Sequence, residues 1–72
     1  MRTGWYENGQ KAFEGNYKDD QRDGNWTWWY ENGQKKSEGN YINGKPEGKG
    51  TFWNEDGTIE EVAYYENGEL VN

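Results

Sequence analysis

One segment of this chain copies itself. Tyr6-Glu7-Asn8-Gly9-Gln10-Lys11 returns as Tyr30-Glu31-Asn32-Gly33-Gln34-Lys35 and, more loosely, as Asn54-Glu55-Asp56-Gly57-Thr58-Ile59, each 24 residues after the last (Gly9, Gly33, Gly57). The second half keeps step, with Glu14-Gly15-Asn16-Tyr17, Glu38-Gly39-Asn40-Tyr41 and Val62-Ala63-Tyr64-Tyr65. Trp5, Trp29 and Trp53 share one position, and Thr3, Thr27 and Thr51 share another. A period of this length implies stacked supersecondary units, each leaning on its neighbour to bury a face. Units of about 1–24, 25–48 and 49–72 are therefore expected to form one repeat domain, with Trp28 to Gly48 as the most complete copy.

Within a unit, Asn-Gly or Asp-Gly separates aromatic-rich runs, the strongest local signal for a hairpin. No segment between glycines is long enough to propagate a helix. Strands are expected near residues 3–6, 10–18, 25–31, 34–42, 49–55 and 58–66, with a seventh at 69–71. Longer connections are expected at Asp19–Gly24 and Asn43–Gly48. The fold class is all-β, an antiparallel meander of about six strands.

Register decides which side chains share a face, because a slip of one residue exchanges the faces. A two-residue turn at Asn32-Gly33 sets Trp26 opposite Gly39 and Trp28 opposite Ser37. A three-residue loop with Gly33 left-handed shifts the pairing by one and places Trp29 with Ser37, Gly39 and Tyr41. The second register is favoured. It gathers the most faithfully repeated positions (Trp5, Trp29, Trp53, Tyr17, Tyr41, Tyr65) beside the small Gly15, Gly39 and Ala63.

The aliphatic core is nearly empty: Val62, Val71, Ile42, Ile59 and Leu70 are its only branched members. Aromatic residues, 18% of the chain, must supply the apolar area instead. Each ring buries a large surface, and Trp and Tyr keep a polar tip for water, which suits a thin, half-exposed sheet. So small a scaffold is expected to need help from repeat stacking or oligomerisation.

The chain has no cysteine, which removes disulfides and thiolate chemistry, and no histidine, the commonest general base and zinc ligand. Its net charge of −6 opposes phosphate backbones and anionic lipid surfaces but suits a basic protein. No apolar run reaches the length of a signal-peptide core or a membrane span, so a cytoplasmic location is expected.

The residues Glu38-Gly39-Asn40-Tyr41-Ile42-Asn43-Gly44-Lys45-Pro46-Glu47-Gly48-Lys49-Gly50-Thr51-Phe52, followed by Asp56-Gly57, resemble a MORN-type repeat. That family's pattern is Tyr-Glu-Gly, an aromatic, Asn-Gly-Lys, Gly-x-Gly and a later Asp-Gly. The segments at 5–11 and 29–35 resemble more narrowly the variant MORN repeats of YwqK-type bacterial antitoxin components. The resemblance implies hairpins stacked edge to edge into a twisted single-layer sheet. Ser37 stands where the family often has Tyr, and Val62 and Ala63 replace the acidic residue and glycine, so the third copy reads as a terminal cap. Choline-binding cell-wall repeats share the Gly-Trp and Asn-Gly features, but their shorter period fits less well.

Catalysis needs a nucleophile, a base or a metal. The candidates are Glu7, Glu31, Glu55, Glu14 and Glu38, and their repetition favours solvated turn flanks over an active site. Asp19, Asp20 and Asp23 offer oxygen ligands without a calcium-loop spacing, so no metal and no cofactor is expected.

The aromatic surface is the leading candidate site, because exposed rings mark interfaces. The residues expected at a partner contact are Trp26, Trp28, Trp29, Tyr30, Glu31, Tyr41, Phe52 and Trp53. Within them the Trp-Trp-Tyr run is the part not copied, since position 28 is Gly4 and Phe52 in the flanking units and position 26 is Arg2 and Gly50.

The expected function is a non-enzymatic protein-binding module and, by the resemblance, an antitoxin-like acidic inhibitor that masks a toxin or effector. Its expected partner is a basic protein; nucleic acid and membranes are disfavoured. The alternatives are a self-associating MORN scaffold, as a homodimer, and an aromatic module for glycans or cell surfaces.

Overall fold

The computed structural model describes residues 1–71; Asn72, the last residue of the third expected unit, lies outside the described residues. The strands are β1 (Arg2–Trp5), β2 (Lys11–Lys18), β3 (Gln21–Trp29), β4 (Lys35–Ile42), β5 (Lys45–Trp53), β6 (Ile59–Glu66) and β7 (Glu69–Leu70). They pair antiparallel in chain order, making one open sheet of seven strands, the six expected and the seventh expected at 69–71. The molecule measures 35 × 29 × 11 Å, so its smallest dimension matches a single layer.

Two turn types alternate along the meander. At one end the loops around Gly9, Gly33 and Gly57 close alike, the glycine taking φ of 89°, 91° and 93°. The Gly33 amide donates to the Tyr30 carbonyl at 3.0 Å, and the Tyr30 amide donates to the Gln34 carbonyl at 2.8 Å. At the other end only two residues turn: Asp19-Asp20, Asn43-Gly44 and Asn67-Gly68, all with positive φ. That is the type I′ geometry whose twist matches the flanking strands.

The longer connections expected at Asp19–Gly24 and Asn43–Gly48 are thereby corrected: β3 already starts at Gln21 and β5 at Lys45. Gly24 and Gly48, with φ of 80° and 81°, belong to bulges inside those strands.

The favoured register is also corrected. The three-residue loop at Gly33 forms, but a second irregularity between Trp28 and Trp29 cancels its offset. Trp29 pairs with Lys35, and after Lys36 is skipped Trp28 pairs with Ser37 and Trp26 with Gly39. Trp26 and Trp28 therefore share the face of Ser37, Gly39 and Tyr41, and Trp29 lies on the opposite one. The same shift recurs at Trp5 and Trp53.

The core is one indole. Trp26 and Ala63 are the buried hydrophobic residues, at 1% and 2% exposure. The Trp26 ring lies so flat on Gly15 that a Cβ there would sit 2.2 Å from it. Phe13 and Trp28 stack beside it with centroids 6.1 and 5.7 Å away, and Tyr17 meets it edge-on at 5.1 Å. Its Nε1–H donates to the Asn16 carbonyl at 2.9 Å, so the one polar atom of the ring is satisfied. Burying an indole of about 150–250 Å² contributes about 4–6 kcal/mol by area, an upper value.

Candidate functional site

The face that carries Trp26, here the front, continues across β4, β5 and β6. There Trp28, Tyr41, Phe52 and Tyr65 surround a hollow floored by Gly39 and Gly50, with Ser37 and Pro46 at its sides. The hollow has a volume of about 90 Å³ and opens to solvent. The bulged pairing of β4 with β5 positions it, because the register breaks between Glu38 and Asn40 and leaves Gly39 facing Gly48, Lys49 and Gly50. Beside it, the Arg22 guanidinium covers the rings of Trp26, Trp28 and Tyr41 at 5.3, 5.5 and 5.6 Å.

The back face is polar and built as a row. Thr3, Glu14, Thr27, Glu38, Thr51 and Val62 stand opposite one another in turn across six strands. Thr27 Oγ1 donates to Glu38 Oε2 at 3.0 Å, and Lys35 Nζ approaches the same oxygen at 3.2 Å. Partial burial pushes the Glu38 carboxyl up, but hydrogen bonds from Lys35, Thr27 and Asn25 and the Lys35 charge outweigh it and hold the pKa below the ordinary value. Lys11 and Glu14 repeat the pair at 3.1 Å.

Indoles and ammonium groups alternate beside that row. Lys11 Nζ lies 5.6 Å from the Trp29 ring and Lys35 Nζ 5.7 Å from the Trp53 ring. A shallow depression near Trp5, Gln10, Lys11 and Trp29 lies on this side. A carboxylate held as an ion-pair acceptor by a lysine and a threonine is a structural arrangement. Among the described residues no group of three or more His, Cys, Asp or Glu side chains could hold a metal ion.

The structure divides the expected site residues. Trp28, Tyr41 and Phe52 converge on the front hollow. Trp26 adjoins them, but at 1% exposure its ring is core. Trp29 and Trp53 belong to the back-face ladder with lysines. Tyr30 donates its hydroxyl to the Trp53 carbonyl at 2.8 Å, and the Glu31 carbonyl accepts from Asn8 Nδ2 at 2.8 Å. Both residues thus tie one turn to the next. Asn32 Nδ2 repeats the second bond on the Glu55 carbonyl at 2.8 Å.

Gly39, Gly50 and Tyr65 complete the hollow and were not among the expected residues. Their signal was nonetheless in the repeat, because Gly50 is the residue that replaces Trp26 one unit later.

A profile of the MORN repeat variant matches residues 2–19, 22–43 and 46–67. Each match spans one hairpin: β1–β2, β3–β4 and β5–β6. No curated protein and no solved structure matches the chain significantly. MORN repeats are non-enzymatic repeat modules that bind proteins or membranes. With three successive matches covering most of its length, the chain belongs to the MORN repeat variant family.

Proposed function

We propose that this chain is a protein-binding module whose front face docks a basic partner, and that it acts as an antitoxin-like inhibitor by masking a toxin or effector. The front-face hollow carries the reading: an apolar, aromatic-walled depression on the surface of a thin sheet, in a chain of net charge −6. Rings set in such depressions serve as anchors, and the surrounding charge steers the encounter. The same charge disfavours an anionic membrane as the target. On this reading the two proteins meet in the cytoplasm.

The test is affinity capture with the full chain, followed by stopped-flow association with the captured protein over a salt series. The expected result is a basic partner whose association rate falls steeply with ionic strength while dissociation changes little. Capture of no partner, together with a stable homodimer in sedimentation, overturns this reading in favour of a self-associating scaffold. Trp5, 62% exposed on the back face, is the ring such a scaffold would use.

A further inference from the structure

We propose that the front-face hollow is an indole slot, which takes a tryptophan side chain of the partner protein and seats it over Gly39 as Trp26 is seated over Gly15. The proposal rests on the protein-binding reading above and names what that surface grips. The template lies within the molecule itself. The pairing of β2 with β3 (Glu14↔Thr27, Asn16↔Asp23, Lys18↔Gln21) is reproduced 24 residues later by β4 with β5 (Glu38↔Thr51, Asn40↔Glu47, Ile42↔Lys45). Bulge glycines at the same place, Gly24 and Gly48, have φ of 80° and 81°. The two seams therefore present the same backbone.

The difference is the ring. In the first seam Trp26 covers the Gly15 floor, stacks on Trp28 and gives its N–H to the Asn16 carbonyl. In the second seam the floor is Gly39, the stacking wall is Phe52, the edge is Tyr41 and the carbonyl at the matching register belongs to Asn40. The residue at the position of Trp26 is Gly50, which has no side chain to offer. A Cβ built on Gly39 meets only the Gly50 Cα, at 3.8 Å, so no ring of this chain lies flat on that floor as Trp26 lies on Gly15.

The cover differs too. Arg22, whose guanidinium lies over Trp26, Trp28 and Tyr41, has Pro46 as its counterpart in the second seam, so that seam brings no guanidinium of its own and Arg22 flanks the slot only at its Trp28 and Tyr41 edge. Stacking alone would accept any aromatic ring. The backbone acceptor at Asn40 selects an indole, whose N–H must be paired when buried.

The test titrates N-acetyl-L-tryptophanamide into the isotope-labelled chain and follows backbone amide shifts. Saturable shifts centred on Gly39, Asn40, Gly50 and Phe52 in the millimolar range are expected, with N-acetyl-phenylalaninamide weaker because it has no N–H donor. Gly50→Trp should plug the slot from within and abolish the shifts; the nearest atom to a Cβ there is Tyr65 Cε2 at 3.5 Å, an ordinary contact.

Gly39→Ala, which has room to fold, raises the floor under a flat ring and should weaken the probe by about tenfold or more. Absence of localised shifts, or undiminished binding to both variants, overturns the slot. Partner capture that survives in Gly50→Trp also overturns it while leaving the protein-binding reading intact. Failure of the wild-type chain to capture any protein overturns that reading, and with it the partner as the source of the ring. Self-association lost on either Gly50→Trp or Trp5→Ala would assign the ring to a second copy and refute the heterologous partner.

Discussion

A methyl group at Gly15 and one at Gly39 should have opposite effects, although the two residues occupy the same repeat position. At Gly15 the new Cβ would lie 2.2 Å from two atoms of the Trp26 ring and 2.6 Å from a third. Carbon atoms settle at about 3.5–4.0 Å, so the ring must retreat by more than 1 Å. It cannot do so freely, because Phe13 and Trp28 flank it and its N–H is bound to Asn16. Overpacking of this kind costs about 1–3 kcal/mol, and a broken hydrogen bond adds about 1 kcal/mol.

Gly15→Ala should thus lose about 2–4 kcal/mol, a large share of the roughly 4–10 kcal/mol that a chain of this size holds. Gly39→Ala meets nothing closer than 3.8 Å and should gain a few tenths of a kcal/mol from reduced freedom of the unfolded chain. Urea unfolding followed by tryptophan fluorescence measures both. A double variant supplies the control: in a Trp26→Gly background the cost of Gly15→Ala should vanish. Equal effects at the two glycines, or a cost that persists without the indole, would refute the packing argument.

Three other outcomes follow from local features. Asp20, at φ of 65°, holds a left-handed place that its repeat partners Gly44 and Gly68 fill without penalty; Asp20→Gly should raise the melting temperature by about 4–8 °C, for a gain of about 1 kcal/mol. Tyr30→Phe removes the hydroxyl bonded to the Trp53 carbonyl and should cost about 1 kcal/mol in thermal unfolding, whereas no change would mean that the turns are not held by this bond. The Glu38 pKa is lower folded than unfolded, so unfolding takes up protons. Its stabilisation is present above the unfolded value of 4.5 and is lost as pH falls through the lower folded value. Urea midpoints measured on both sides of that window should therefore shift less in Glu38→Gln than in the wild type.

Hairpin positions were legible in the sequence because Asn-Gly and Asp-Gly dictate local backbone. The faces were not, and the reason is specific. Aromatic residues stand on both sides of β3, with Trp26 and Trp28 against Trp29, so no polar alternation selects a register. The left-handed Gly33 shifts the pairing by one residue and the irregularity beside Trp29 shifts it back. Only the first offset has a recognisable residue behind it. Asp19-Asp20 and Asn43-Gly44 were both read into longer connections, because Gly24 and Gly48 look like loop residues in the sequence but sit at bulges inside β3 and β5. The hollow was half legible: Trp28, Tyr41 and Phe52 could be named as rings, but its defining residues are glycines. A missing side chain becomes informative only after the neighbouring seam shows what fills the same place.

The lone buried indole also divides the sheet by rigidity. β2 and β3 are fastened by Trp26, whereas the buried residues of β5 and β6, Gly50 and Ala63, are the smallest available. Regions with few buried apolar contacts open locally at lower free energy, so amide hydrogens of β5 and β6 should exchange faster than those of β2 and β3. A ligand seated in the weaker half stabilises that half by mass action. Occupancy would then slow exchange in the strands it touches, and recognition becomes the last step of the sheet's own folding.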